Sequence, residues 1–277
     1  MKILRNDTMA TCSFLLALTL FLTTGCGGSR EFELNAPSSP IAGERWTLTL
    51  GGESFAFRYC PPGEYIIGSA ETEQGRYDDE TTARVRIDFG FWLQETEMTE
   101  AQWRALWGNQ LKSSGANANL TTKSIKTART VPVMRVTWEQ CQSVIARANA
   151  RCAGGQKLIF ALPKEEEWEY ACRAGTTTPY ARATLDQCGW YDENSGMIVH
   201  EVAQKEANAW GLYDMHGNLW EWTDDPQNAQ EPSKPHLLRG ASAVDPARDC
   251  RSATRSADGA GDGYDNVGLR LPLVEAL

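Results

Sequence analysis

Alternation of apolar and polar positions marks the first third of the chain as strand-rich. Residues 46–50 and 55–59 alternate, and Gly51-Gly52 between them predicts a hairpin turn. Pro61-Pro62-Gly63 breaks the pattern before another short strand over 65–67, and a polar loop with Asp78, Asp79 and Glu80 leads to a further alternating stretch over 83–89. The period changes at Thr99. Thr99 and Gln102 form a capping-box pair that predicts a helix carrying Trp103, Leu106 and Trp107 on one face. Thr137 and Gln140 repeat the signature, with Val144, Ile145 and Ala148 continuing the apolar face. A third helix is predicted after Pro163, with Trp168 and Cys172 one turn apart and Gly175 as its stop. Beyond it, Gly, Asp, Asn and Ser dominate and apolar pieces are short. This predicts about 100 residues of mostly irregular chain, held by tryptophan rings whose N–H groups bridge loops.

Within that region, residues 211–222 combine two carboxylates, Asp214 and Glu221, with a turn-forming Gly217 and two tryptophans, Trp220 and Trp222. Strand alternation predicts that both tryptophans enter the core while Leu219, Glu221 and Thr223 face the other way. Hard cations such as calcium take six to eight oxygens from carboxylates, carbonyls and water, and this loop offers several. The plainer alternative is a turn whose acids face solvent.

The N-terminus bears on compartment. Lys2 and Arg5 precede an apolar stretch over 12–22, too short to span a bilayer, and then Thr23-Thr24-Gly25-Cys26, a pattern of secretory signal and processing site. A Cys after a small residue there resembles the bacterial lipobox, with Cys26 as the acylated residue, although Thr23 stands where Leu is usual. An ordinary cleaved signal, or a start at Met9, is the alternative. The expected organisation is a signal peptide over 1–25, a tether over 26–41 and one domain over 42–277, exported to the bacterial cell envelope and held at the membrane through lipid on Cys26. The net charge of -9 and the lack of a basic cluster argue against nucleic acid or an anionic membrane surface as partner.

Of eight cysteines, Cys60, Cys141, Cys152, Cys172, Cys188 and Cys250 lie in the domain. None forms a CxxC, and with His200, His216 and His236 as the three histidines, zinc-type spacing is missing. Export permits disulfides, but the spacings select no pairing, and a buried unpaired Cys is the commonest fate. There is no GxSxG elbow and no triad spacing. His216 is expected to hydrogen-bond within its loop. The acids of 258–266 lack EF-hand spacing and are expected to form turns, with Arg255 and Arg270 placed to pair with some of them.

Six ordered motifs then carry a resemblance: residues 60–69, 91–99, 131–138, 162–175 and 211–222, followed by the set Arg239-Gly-Ala-Ser242, Arg251-Ser-Ala-Thr-Arg255 and Gly268-Leu-Arg270. Together they resemble the formylglycine-generating enzyme, or sulfatase-modifying factor, family from about Phe57 onward. The resemblance implies one α+β domain of low regular secondary structure, related to the C-type lectin fold, with structural calcium. It assigns calcium to the side chains of Asp214 and Glu221 and the carbonyls of Gly217 and Leu219. The family's human-type enzyme has Asn at the position of Asp214. A second calcium site known in some members lies in an insertion with no counterpart here.

The family's characterised enzyme oxidises a client sulfatase Cys to formylglycine with oxygen and copper(I), held by two cysteines five apart after the "GGS" segment. Soft thiolates suit Cu(I). Aligned from Gly240, Asp245 falls at the first copper position; aligned back from Arg251, Ala247 falls at the second, and Cys250 is displaced from both. Copper is therefore doubtful. Relatives that use iron draw their histidines from a separate helical domain that this sequence does not match. Two functions are expected from the residues. One is a non-copper module binding a client protein, peptide or glycan in a cleft near Ser242, Asp245, Arg251 and Arg255. The other is a formylglycine-forming enzyme with Cys250 catalytic beside another thiol. The missing Cys pair favours the first, because function lives in the site rather than the fold.

Overall fold

The computed structural model describes residues 34–108, 129–152, 157–227 and 235–276. The signal peptide and the lipidation candidate Cys26 lie outside the described residues. In chain order the first strands are β1 (Arg45–Leu50), β2 (Glu53–Cys60), β3 (Gly63–Ile67), β4 (Ala83–Ile87) and β5 (Phe91–Gln94). Helices α1 (Glu100–Trp107) and α2 (Trp138–Ala150) follow, then β6 (Leu158–Phe160) and α3 (Glu165–Arg173). The remainder comprises two single-turn helices, α4 (Leu185–Cys188) and α5 (Asp192–Ser195), and short strands. These strands are β7 (Gly189–Trp190), β8 (His216–Gly217), β9 (Trp220–Pro226), β10 (His236–Arg239), β11 (Arg255–Asp258), β12 (Val267–Gly268) and β13 (Pro272–Glu275).

The helix starts follow the sequence signals. Thr99 Oγ1 accepts from the Gln102 N–H and the Gln102 side chain accepts from the Thr99 N–H, and Thr137 with Gln140 does the same. Both capping boxes therefore satisfy donors that the first helical turn leaves open. Helix α3 ends at Ala174 in the left-handed region, one residue before Gly175.

A five-stranded sheet runs in the order β1-β2-β5-β13-β6, so the last strand inserts between β5 and β6 and ties the end of the domain to its beginning. Under it lies the larger core, built from Phe55 and Phe57 of β2 with Trp103, Leu106, Val144 and other buried residues of α1 and α2. A smaller core joins Cys60 and Leu93 to Trp168 and Cys172 of α3 and to Leu212 and Met215. The loop-rich half is organised by a second sheet, β11-β10-β9-β12. Regular structure there is thus short but wider than the Gly- and Asp-rich composition suggests. As expected, indole N–H groups bridge its loops: Trp222 Nε1 donates to the Val136 carbonyl at 2.8 Å and Trp138 Nε1 to that of Thr223 at 3.0 Å.

Strand β9 corrects one expectation. Trp220 and Trp222 do enter the core, but Leu219, Glu221 and Thr223 are buried as well. The strand is covered on both faces: Trp220 and Trp222 pack into the larger core, while α3 and Arg270 close over the Glu221 side. Acids facing solvent are excluded.

Candidate functional site

The turn that leads into β9 is over-determined by backbone geometry. Asp214 and Asn218 adopt left-handed φ values of 57° and 68°, and Gly217 has φ 101°. A Cβ at Gly217 would stand 1.9 Å from the Trp190 carbonyl oxygen, so only glycine fits.

This turn gathers three buried carboxylates around one guanidinium. Glu221 is bound on both oxygens: Arg270 Nε lies 3.0 and 2.8 Å from them, Arg270 Nη2 2.7 Å from Oε1, and Trp168 Nε1 2.7 Å from Oε2. Arg270 spends its other donors on the carbonyls of Gln94 and Tyr213. Asp214 Oδ2 accepts from the Ala203 N–H at 2.8 Å, while Oδ1 is buried without a partner. The third acid is Glu97, fully buried; its Oε2 accepts from Asn218 Nδ2 at 2.7 Å and its Oε1 has no partner. Burial pushes the Asp214 carboxyl up to about 6. Burial, then the negative charges of Asp214 and Glu221, push Glu97 well above the usual carboxylate range.

Two orphaned carboxylate oxygens among three acids and a single Arg270 describe a site short of positive charge, since buried anions need pairing or a metal. Among the described residues no three acid, His or Cys side chains converge into a metal cluster. A cation here would therefore need backbone oxygens beside the carboxylates, and the loop carries Gly217 and Leu219 at the expected places. Of the acids, Asp214 Oδ1 and Glu97 Oε1 are the oxygens left open to a cation, whereas both oxygens of Glu221 are held by Arg270 and Trp168. Glu97 escaped the sequence reading because Glu95 and Glu97 at alternate positions look like the solvent side of a strand. Its only signal was its place within the 91–99 motif.

The segment from Ser242 onward is arranged differently from the expected cleft. Ser242 is buried, and its N–H and hydroxyl both donate to Asp245 Oδ2. Arg251 is turned inward to Glu73 Oε1 at 2.8 Å and to both oxygens of Glu80. Arg255 pairs with Glu165 through Nε at 2.6 Å. The structure thus joins Ser242 to Asp245 but commits Arg251 and Arg255 to two separate ion pairs. Arg255 and Arg270 do not pair with the acids of 258–266, as composition had suggested; Arg135 takes Asp265 instead.

Cys250 ends a 3-10 turn, Ala247–Cys250, and is fully buried. Burial, followed by the charges of Asp245, Asp249 and Asp192, pushes its thiol well above the ordinary range, so it stays protonated. Cys250 stands five residues after Asp245, which corrects the expectation that it is displaced from both positions: counted forward from Gly240 it falls at the second, and the displacement holds only when counting back from Arg251. All six described cysteines are free. His216 is a loop hydrogen-bonder, as expected: its ring nitrogens meet the Cys250 carbonyl at 2.8 Å and the Ala181 N–H at 3.1 Å, and burial lowers it to about 4.

On the outside of this segment the exposed side chains are mixed, Val244 apolar and Arg248 charged. Residues 192–198 lie against it through Asp192 N–H to the Asp245 carbonyl at 3.0 Å and Ser195 Oγ to the Ala243 carbonyl. That contact leaves Met197, Ile198 and Val244 exposed at 58%, 60% and 38%.

Comparison with known proteins agrees with the motifs. The family model described as "Sulfatase-modifying factor enzyme 1-like domain" matches residues 56–274. A Bos taurus protein named "Inactive C-alpha-formylglycine-generating enzyme 2" is 33% identical over 159 residues, covering 50% of this chain and 49% of that protein. The formylglycine-generating enzyme of Mycobacterium tuberculosis is 30% identical over 177 residues, covering 50% and 56%. The chain spans about half the length of these curated relatives. Among solved structures, Treponema denticola variable protein 1 superposes with TM-score 0.68 at 24% identity, covering 84% of this chain and 99% of that one. PvdO from Pseudomonas aeruginosa superposes with TM-score 0.70 at 20% identity, covering 86% and 100%. These two likenesses show the fold: α+β, sheet-dominated and lectin-related. With the family model covering most of the domain, the chain belongs to the sulfatase-modifying factor enzyme 1-like, or formylglycine-generating-enzyme-like, family.

Proposed function

We propose that this protein is a non-copper member of its family, an exported lipoprotein held in the bacterial envelope through Cys26, whose domain binds a peptide or glycan over the Ser242–Asp245 segment. The observation that carries the reading is the full burial of the Cys250 thiol, while Met197, Ile198 and Val244 are exposed. Copper(I) needs accessible soft thiolates, and Asp245 is a hard oxygen ligand. A bovine relative whose name begins "Inactive" supports the same direction. Calcium, in this reading, is structural. It would draw on the unpartnered oxygens of Asp214 and Glu97 with the carbonyls of Gly217 and Leu219, while Glu221, whose oxygens Arg270 and Trp168 hold, would have to share one of them.

The test is binding of the purified protein to peptide and glycan arrays, repeated with Ile198→Glu. Ligands retained by the parent protein and lost by the variant are expected. Indifference of every ligand to the substitution contradicts the placement. The second reading, an enzyme converting a client Cys to formylglycine, keeps one observation in its favour, the retained thiol at Cys250.

A further inference from the structure

A groove of about 310 Å³ opens on the domain between the end of β4, the first turn of α3 and the end of β13. It shares no lining residue with the Ser242–Asp245 surface. Its lining mixes apolar side chains, Phe91 and Val274 among them and Phe89 standing 69% exposed, with a nearly equal share of polar surface. Its polar rim is one-sided. The one basic residue of the lining, Arg86, is already held by Asp88, with Nε 2.8 Å from Oδ1. That leaves Glu166, Glu167 and Glu275. Among the described residues neither Glu166 nor Glu275 forms an ion pair, and Glu167 gives one oxygen, Oε2, to the Lys164 N–H at 2.8 Å. Burial, with the charge of Asp225 next, raises Glu166; burial likewise raises Glu167.

An exposed aromatic ring beside a groove of mixed apolar and acidic lining matches one kind of occupant, with Glu275 and Glu166 outside any ion pair among the described residues and Lys164 acting on Glu166 and Glu167. A lysine or arginine side chain lays its aliphatic stem on apolar surface, can set its cation over an aromatic face, and presents its charge to the carboxylates. The volume lies at the small end of ligand pockets, enough for one such side chain and too small for a folded element. The geometry points to a docking groove for a lysine or arginine side chain of a partner protein, apart from the surface over Ser242 and Asp245.

The experiment titrates the protein, by NMR chemical shifts, with end-blocked Gly-Arg-Gly, Gly-Lys-Gly and Gly-norleucine-Gly peptides and with a free linear diamine. Saturable binding of the arginine or lysine peptide, perturbing Phe89 and Ala276, is expected, with affinity falling as salt rises. Glu166→Gln with Glu275→Gln should weaken it about 2- to 5-fold per charge removed, and Phe89→Ala should weaken it without changing the melting temperature. Equal binding of the norleucine peptide overturns the charge argument, and diamine binding as tight as the peptides overturns the protein partner. Perturbations away from the groove, or no saturable binding, overturn the site itself.

Discussion

Arg270 closes on Glu221 with both side chains fully buried, and the guanidinium reaches both carboxylate oxygens at 2.7 to 3.0 Å. The pair joins the connection between β12 and β13 to the start of β9, and through the Gln94 carbonyl it also touches the five-stranded sheet. Arg270→Met would leave Glu221 buried without its countercharge. Breaking a buried pair from one side costs roughly 3–5 kcal/mol, and urea unfolding should show that loss. Trp168→Phe removes one hydrogen bond to the same carboxylate and should cost about 1–3 kcal/mol. A change below about 0.5 kcal/mol in the Arg270 variant, the range of neutral surface substitutions, would remove the pair from the centre of the fold.

Calcium binding should depend on pH in a direction that the acids fix. Asp214 in the folded protein sits at about 6 without metal, above the ~3.9 of an unfolded Asp. Without metal, the folded state therefore holds the extra proton between those values and gains stability from this group as pH falls through 6. Calcium requires the ionised form and must displace that proton. Adding calcium to chelator-treated protein should raise the melting temperature more at pH 8 than at pH 5, and Glu97→Gln should shrink the rise. A calcium effect that is absent, or equal at both pH values, contradicts the assignment.

Thiol accessibility separates the cysteines. Cys152 is the half-exposed one of the six described, while Cys250 is fully buried. Burial raises the Cys152 thiol to about 11, so prolonged alkylation of the native protein at pH 9, followed by peptide mapping, should modify Cys152 and spare Cys250 until denaturant is added. Rapid native labelling of Cys250 would show that the segment opens.

The elements legible in the sequence were those whose signals are local. Thr99 with Gln102 and Thr137 with Gln140 announce their helices because a capping box is completed within four residues. Gly51-Gly52 announces its hairpin for the same reason. Glu97 was illegible because its partners, Asn218 and the charges of Asp214 and Glu221, lie more than a hundred positions away. Long sequence separation also hid the fate of the arginines. Arg251 finds Glu80, and Arg255 finds Glu165, through tertiary contacts that no spacing encodes. The Asp214–Glu221 loop was read as a metal candidate from its own residues, yet its burial depends on α3 and Arg270, which the local pattern does not contain.

The most direct measurement incubates the purified protein with copper(I), oxygen and a CxPxR-type peptide, and follows the peptide by mass spectrometry. With Asp245 opposite a buried Cys250, the peptide should keep its cysteine and show none of the mass loss of formylglycine formation. Copper-dependent turnover that disappears in Cys250→Ser would contradict the non-copper reading and restore the enzyme.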